Sequence, residues 1–431
     1  MSTRRTVITG MAVNTPIGDT LDGFLETLYA GRSSITRWKA FDTGGIYSKV
    51  GGDLSDYDIA GKAGRLKATL SAETHTRVRK LISRIAWSTR LSVLAAADAW
   101  GDAKLDGGVL DPWRVGAIVA GHNLNSRYLE RNREEFRSEP DYIDAMFALH
   151  SLDTDHAGSV SEALRVRGPI FTVGAACASG NTALRCALDE IRHHDMDAVV
   201  VVGAALDFAP LDVHAMALMG AITFQSFNDQ PARASRPYDM QREGFVPSHG
   251  AAALVVESLD SALKRGARIY AEVLSVEARS DGNHLPVPSE DGQSAVMRAA
   301  LKAAGVEPEQ IDYVSAHATS TPLGDVTELS AIKRVFGKHA SRLKINAPKS
   351  MLGHTCWAAP TVESVAAILQ MNMGRLHRSI NVENLDPQVD LDVCHASSPN
   401  VDVLYMMKNS FGFGGINCVS IFKRYAPEGG R

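Results

Sequence analysis

The chain reads as an α/β protein built from two similar halves. Short apolar, β-branched runs bounded by glycine recur along it, and stretches with helical spacing separate them. The order of strand, loop bearing a reactive-type residue and small-residue helix then recurs in the second half. Val7-Ile8-Thr9-Gly10 opens the series as a strand, and Val115–Gly121 is another. Ala198-Val-Val-Val-Val-Gly-Ala-Ala205 lacks any polar alternation, as a strand covered on both faces would. Between the first two strands, Leu81, Ile85, Leu91 and Leu94 predict a helix over Lys80 to Trp100. Strands separated by helices predict a mainly parallel sheet.

Ala251–Glu257 closes the first half with a buried strand, and Arg268–Glu277 opens the second. A Ser280-Asp281-Gly282-Asn283 loop and a helix from Gly292 to Ala304 follow. Thr172-Val-Gly-Ala-Ala-Cys177 in one half corresponds to Lys344-Ile-Asn-Ala-Pro-Lys349 in the other. Identity between the halves is negligible, so the duplication rests on order alone. No linker-like stretch divides them. The predicted division is 1–260 and 261–431, sharing one body.

Composition narrows the function. Among 431 residues, Lys plus Arg total 45 and Asp plus Glu 49, a net charge of −4. Nucleic-acid binding through bulk positive charge is excluded. The five cysteines, Cys177, Cys186, Cys356, Cys394 and Cys418, are odd in number and form no C-x-x-C pair. That set predicts neither a disulfide framework nor a metal site, and points to a reducing cytoplasmic compartment. No signal-peptide core follows Met1, and no apolar stretch approaches the roughly 18 residues of a membrane span.

Four segments carry chemistry. In Val173-Gly-Ala-Ala-Cys177-Ala-Ser-Gly, a thiol sits at a strand-to-helix turn, where a helix N-terminus favours thiolate and small neighbours leave room for a substrate. In Ala316-His317-Ala-Thr319-Ser-Thr321-Pro-Leu-Gly-Asp325-Val-Thr-Glu328, a strand delivers an imidazole into a polar turn. Thr319 and Thr321 there could donate to an amide-bearing ligand; Asp325 and Glu328 fall in a helix's first turn, which stabilises acids in any case. Ile345-Asn-Ala-Pro-Lys349-Ser-Met-Leu-Gly-His354 supplies an ammonium and a second imidazole. Asn409-Ser-Phe-Gly-Phe413-Gly-Gly-Ile-Asn417 is a glycine-rich loop whose N–H groups can approach a ligand closely. Each segment alone could equally be a buried thiol, a helix cap, a solvated lysine or a flexible turn. Together they suit acyl transfer through a thioester, with carbanion chemistry assisted by neutral imidazoles.

These segments, with Ser235-Arg-Pro-Tyr-Asp239-Met-Gln-Arg-Glu-Gly-Phe245, resemble in order and spacing the motifs of the β-ketoacyl-acyl carrier protein synthases, elongating type I/II branch. The resemblance runs essentially from end to end. It implies a thiolase-like fold, two duplicated halves in five layers α-β-α-β-α, and a homodimer or a heterodimer with a related subunit. It further implies that Cys177 accepts the acyl group and that the N–H groups of Cys177 and Phe413 form the oxyanion hole. His317 and His354 would stabilise the enolate formed from malonyl-carrier protein. Lys349 would order the site together with Glu328, with Asp325 supporting the same turn. Thr319 and Thr321 would bind the pantetheine arm, and Phe413 would gate the acyl pocket. No cofactor is expected on the enzyme, since phosphopantetheine arrives on the acyl carrier protein.

Departures from the family pattern leave the catalytic set intact and fall on pocket-shaping positions. They are Ala318 for a common Gly, Trp357-Ala-Ala-Pro360 for Gly-Ala-Ala-Gly, Ile416 for Thr, Ser248-His249 in a Gly-rich segment, and Asn123 at an acyl-pocket position. They favour a specialised acyl or polyketide pathway, with housekeeping fatty-acid elongation as the alternative. Cys418 keeps a thiolase open, although Lys349 and the paired histidines favour a synthase. A non-catalytic chain-length partner or a decarboxylase would generally lack Cys177. Finally, Arg77, Arg79, Lys80 and Arg84 form a local basic patch, either a solvated helix face or the docking site for an acidic carrier.

Overall fold

The valine run at 198–203 is a strand with every residue buried, at the heart of a ten-stranded sheet. The computed structural model describes residues 4–427. The first-half strands are β1 (Thr6–Asn14), β2 (Val115–Ala120), β3 (Ile170–Val173), β4 (Ala198–Gly203) and β5 (Ala251–Ser258). Those of the second half are β6 (Ala271–Ser280), β7 (Tyr313–Ser315), β8 (Lys344–Asn346), β9 (Tyr405–Gly412) and β10 (Ile416–Lys423). The sheet order is β3-β2-β4-β5-β1-β6-β10-β9-β7-β8. Read outward from the middle, 1-5-4-2-3 and 6-10-9-7-8 are one order shifted by five. The duplication inferred from sequence order is therefore repeated in the strand order.

The halves join where Thr6–Ile8 of β1 pairs with Ala271–Val273 of β6. The sheet is mixed, which corrects the mainly parallel expectation. β2 runs parallel to β3 and β4, and β7 to β8 and β9. β5 and β10 run against both their neighbours. β9 turns into β10 through a tight hairpin closed by Gly412 and Ile416, and only an antiparallel pair can be joined so briefly.

Helices α1 (Ala72–Ile82), α2 (Trp87–Asp102), α3 (Thr154–Leu164), α4 (Ser179–His193), α5 (Glu290–Ala304), α6 (Gly324–Phe336) and α7 (Ala359–Met373) build the other layers. The single helix expected over Lys80–Trp100 is two, α1 and α2. Ser83 Oγ bonds back to the Lys80 carbonyl and Ala86 is extended (φ −61°, ψ 156°), so the chain breaks between them. α2 and α3 cover one face of the first-half strands, α5 and α6 one face of the second, and α4 and α7 lie between. Val199 and Val201 face that middle layer while Val200 and Val202 face α2 and α3, which accounts for the unbroken valine run. Each fully buried side chain of this kind contributes roughly 1.5–3 kcal/mol. The result is the five-layered α-β-α-β-α arrangement.

Both middle helices are entered by the same device. A one-turn 3-10 helix, Ala176–Ala178 before α4 and Cys356–Ala358 before α7, begins with a residue at positive φ, +46° at Ala176 and +49° at Cys356. No helix among the described residues is long and apolar enough to cross a membrane.

Candidate active site

The functional segments all follow the C-terminal ends of parallel-paired strands, where α/β sheets commonly bind ligands. Cys177 follows β3, His317 follows β7, Lys349 and His354 follow β8, and Phe413 follows β9. Cys177, His317, His354, Thr319, Thr321 and Phe413 line one cavity of about 310 Å³.

Cys177 is the second residue of the 3-10 turn and is 5% exposed. Burial pushes its thiol up to about 12, against the lowering influence of the Lys349 ammonium and the Phe413 N–H. Proximity to the helix N-terminus does not produce a resting thiolate, because desolvation of the sulfur outweighs it. The Phe413 N–H and the N–H of Cys177 itself both favour the thiolate, without outweighing burial. The loop's approach is close because Gly412 packs on the turn: a Cβ there would lie 2.8 Å from the Ala175 carbonyl and 3.2 Å from the Cys177 nitrogen.

The rings of His317 and His354 stand 5.5 Å apart, edge to face at 85°. Burial holds both well below the usual imidazole range, and the Lys349 and Lys408 ammoniums push in the same direction. Both are neutral at physiological pH. Neither ring nitrogen of His354 has a partner within the protein, so both remain available to a substrate. Phe245 packs edge-on against His354 and tilts toward Phe413.

Two carboxylates hold the turn after β7. Glu328, 1% exposed, accepts the N–H groups of His317 and Ala318 at 2.8 Å each, and the Asn409 amide at 2.9 Å. Asp325 accepts from Tyr238 N at 2.9 Å and Ser320 N at 3.0 Å, and burial raises its carboxyl to about 6. They stabilise a turn in which Ala318 (φ +29°) and Ser320 (φ +68°) are left-handed. Ala318 thus sits where glycine is favoured. Thr319 and Thr321 hydroxyls lie 3.2 Å apart on the cavity wall.

Lys349 and Glu328 hold the same turn, but not through contact with each other. Lys349 forms its ion pair with Glu363 of α7 and donates to the His317 carbonyl at 2.5 Å. Glu328, whose oxygens take backbone N–H groups, acts on the same peptide from its other end. Glu363 was missed in the sequence because an acid inside an apolar helix carries no motif; its spacing to a lysine on another segment becomes visible only in the fold. Lys408, in the middle of β9, was missed for the same reason, and Asn409 was read only as the start of the glycine-rich segment.

Other sequence candidates lie elsewhere. Asn123 is exposed on a left-handed turn (φ +52°), its N–H held by Asp153 at 2.8 Å, and does not line the cavity. Cys418 is buried in the middle layer, beside Thr182 of α4, away from Cys177. Arg77, Lys80 and Arg84 line a separate surface groove, while Arg79 is exposed on α1. Arg77 is committed there: it donates to the Ala163 carbonyl at 2.9 Å and pairs with Glu73. Trp357, second residue of its own 3-10 turn, stacks on His122 at 4.3 Å.

Residues 3–262 match the family profile described as the N-terminal domain of beta-ketoacyl synthase, and residues 270–383 match its C-terminal domain. The chain belongs to the β-ketoacyl synthase family, acyltransferases that form carbon–carbon bonds on a thiolase-like fold. It is 33% identical over 427 residues to 3-oxoacyl-[acyl-carrier-protein] synthase 2 of Coxiella burnetii (strain RSA 493 / Nine Mile phase I), covering 98% of this chain and 99% of that protein. The enzyme of the same name from Staphylococcus aureus (strain COL) is 33% identical over 425 residues, with the same coverage. Among solved structures, the ishigamide ketosynthase/chain length factor superposes with a TM-score of 0.84 at 30% identity, covering 99% of this chain and 100% of that one. A type II polyketide synthase ketosynthase solved with its acyl-carrier protein gives 0.84 at 27% identity, covering 98% and 100%.

Proposed function

We propose that this chain condenses an acyl group held on Cys177 with a malonyl group delivered by an acyl carrier protein, releasing carbon dioxide. The observation that carries the reading is the cavity that gathers the Cys177 thiol, two neutral imidazoles and the Phe413 loop.

In the first half-reaction the Cys177 sulfur attacks the carrier's acyl thioester. The Cys177 and Phe413 N–H groups receive the oxyanion. Because the resting thiol is protonated, a neutral imidazole takes its proton and returns it to the departing pantetheine thiolate. In the second, the bond from malonyl carbon to carboxylate breaks and carbon dioxide leaves. The electron pair forms an enolate whose oxygen accepts hydrogen bonds from His317 and His354. The enolate carbon attacks the acyl carbonyl, the tetrahedral intermediate collapses, and the expelled Cys177 thiolate takes a proton from solvent. Thr319 and Thr321 hold the pantetheine arm of the carrier, which brings its own phosphopantetheine; the enzyme supplies side chains only. Phe413 separates the acyl pocket from the malonyl site. Acyl transfer from labelled acyl-carrier protein should label the wild type and not Cys177→Ala; labelling of the variant would refute the nucleophile.

The pathway reading rests on the large side chains packed in the nucleophile's half. Trp357 stacked on His122, and His249 packed among Trp38, Trp87 and Phe208, put large rings around the nucleophile's half of the core. We read this as a synthase for a specialised acyl or polyketide chain, acting in the cytoplasm, with the chain divided functionally at 260/261. Asn123 enters this reading as a residue of an acyl pocket completed by a second subunit. The edge strand β3, with Ile170 40% exposed, and the exposed Phe136, Tyr142 and Met146 suit pairing with a second copy or a related subunit. Efficient turnover of straight saturated acyl chains of many lengths would overturn the specialised reading.

A further inference from the structure

Lys408 and Asn409 are consecutive residues of β9, and both reach the backbone of His317 through other side chains. Asn409 donates to Glu328, which accepts the His317 N–H. The Lys408 ammonium lies 2.7 Å from Glu363 Oε2, the other Glu363 oxygen pairs with Lys349, and Lys349 donates to the His317 carbonyl. His317 is thus gripped at its backbone N–H by one chain of contacts and at its carbonyl by the other. β9 continues directly into Phe413, so both chains tie the imidazole turn to the loop of the oxyanion hole.

Lys408 is fully buried, bonded also to the Asn409 carbonyl and, at 3.3 Å, to Ser410 Oγ. Removing a charge from water is expensive, and here one carboxylate serves two ammoniums. Packing alone would be met by an apolar side chain of similar volume. A second buried ammonium beside the site therefore calls for a functional account.

We propose that Lys408 is a positioning residue for condensation: through Glu363 and Lys349 it fixes the His317 peptide against the Phe413 loop, and it adds a second positive charge facing both imidazoles. The charged and titratable groups around those rings support this. His317 is influenced by Lys349, Lys408 and His354, and His354 by Lys349 and Lys408. Burial lowers Lys408 and Lys349 adds to that, Glu363 and Glu328 work to keep it charged, and the nearby Cys177 thiol is uncharged. Positive charge on this side disfavours imidazolium and preserves neutral rings that donate to an enolate oxygen. Removing Lys408 leaves Glu363 to neutralise Lys349 alone, so the rings take up protons at a higher pH. The inference rests on the enolate-stabilising roles given above to His317 and His354.

The test is decarboxylation of malonyl-carrier protein followed from pH 5 to 8. Lys408→Met should move the acid limb of the profile up by about one pH unit. It should lower kcat at pH 7 by about tenfold or more while KM changes less than about threefold. Lys408→Arg, which keeps the charge, should restore the limb to the wild-type position. If Lys408→Met fails to fold, Lys408→Gln, whose amide can still donate to Glu363, makes the same measurement. An acid limb that stays in place in a folded, charge-removed variant overturns the proposal. His317→Ala and His354→Ala run alongside: if they retain decarboxylation, the assignment of the imidazoles fails instead.

Discussion

Lowering the pH from 7.5 to 5.5 should destabilise this protein steeply, because of four imidazoles the fold holds neutral. His156 is pushed down to about 3 and His377 to about 4 by burial, and His317 and His354 lie well below the ordinary value. In the unfolded chain each titrates near 6.5, so below that pH the unfolded state binds more protons and stability falls as pH falls. At pH 5.5 each group costs about 1.4 kcal/mol, about 5–6 kcal/mol for the four. Asp325, raised to about 6, works the other way, since the folded state protonates it first; it returns about 1 kcal/mol. Asp207 and Asp102, also raised by burial, offset in the same direction. The net loss of about 4 kcal/mol is a large part of a typical stability of about 5–15 kcal/mol. Urea unfolding followed by the fluorescence of the five tryptophans gives the stability at each pH. Unfolding at pH 5.5 should take up about three protons. A stability flat to within about 1 kcal/mol over this range would refute neutral burial of these rings.

Cys177 should react slowly with iodoacetamide at pH 7.5, its rate rising continuously to pH 9 and beyond without a plateau; a plateau near pH 7 would mean a resting thiolate. Glu328→Gln puts an NH₂ where a backbone N–H now donates, leaving a buried donor unpaired at about 1–3 kcal/mol. Decarboxylation should fall about tenfold or more, with Cys177 alkylation unchanged. Ala318→Gly should raise stability by about 1 kcal/mol in urea unfolding by relieving a left-handed alanine. Reversing charge at Arg79, Lys80 and Arg84 should weaken turnover of carrier-bound substrate and spare a small thioester analogue, if that helix face docks the carrier; equal effects on both would discard the docking reading.

What could be read from sequence was what lies in contiguous segments. The strand runs, the thiol turn, the two imidazole motifs and the glycine-rich loop all keep their residues close along the chain, and the structure gathers them around one cavity. The long-range partners were invisible. Glu363 pairs with Lys349 across the gap between β8 and α7, and Lys408 joins them from β9. Nothing local distinguishes these from ordinary charges. The thiol's protonation state was misjudged because position at a helix start is written in the sequence while depth of burial is not. The break between α1 and α2 escaped the periodicity of Leu81, Ile85 and Leu91 because both helices bury leucines on the same side of the core.

The paired 3-10 turns carry a lesson about how such a site can change. Ala176-Cys177 and Cys356-Trp357 are the same backbone device, one in each copy of the repeat, and the two turns pack on each other. One copy presents the proposed nucleophile, and the other presents an indole in the matching place. The thiol and the large ring therefore occupy matching places on two copies of one backbone device. The first turn opens onto the cavity and the second does not, so a change of side chain at 357 would reach the site only through the packing of one turn on the other.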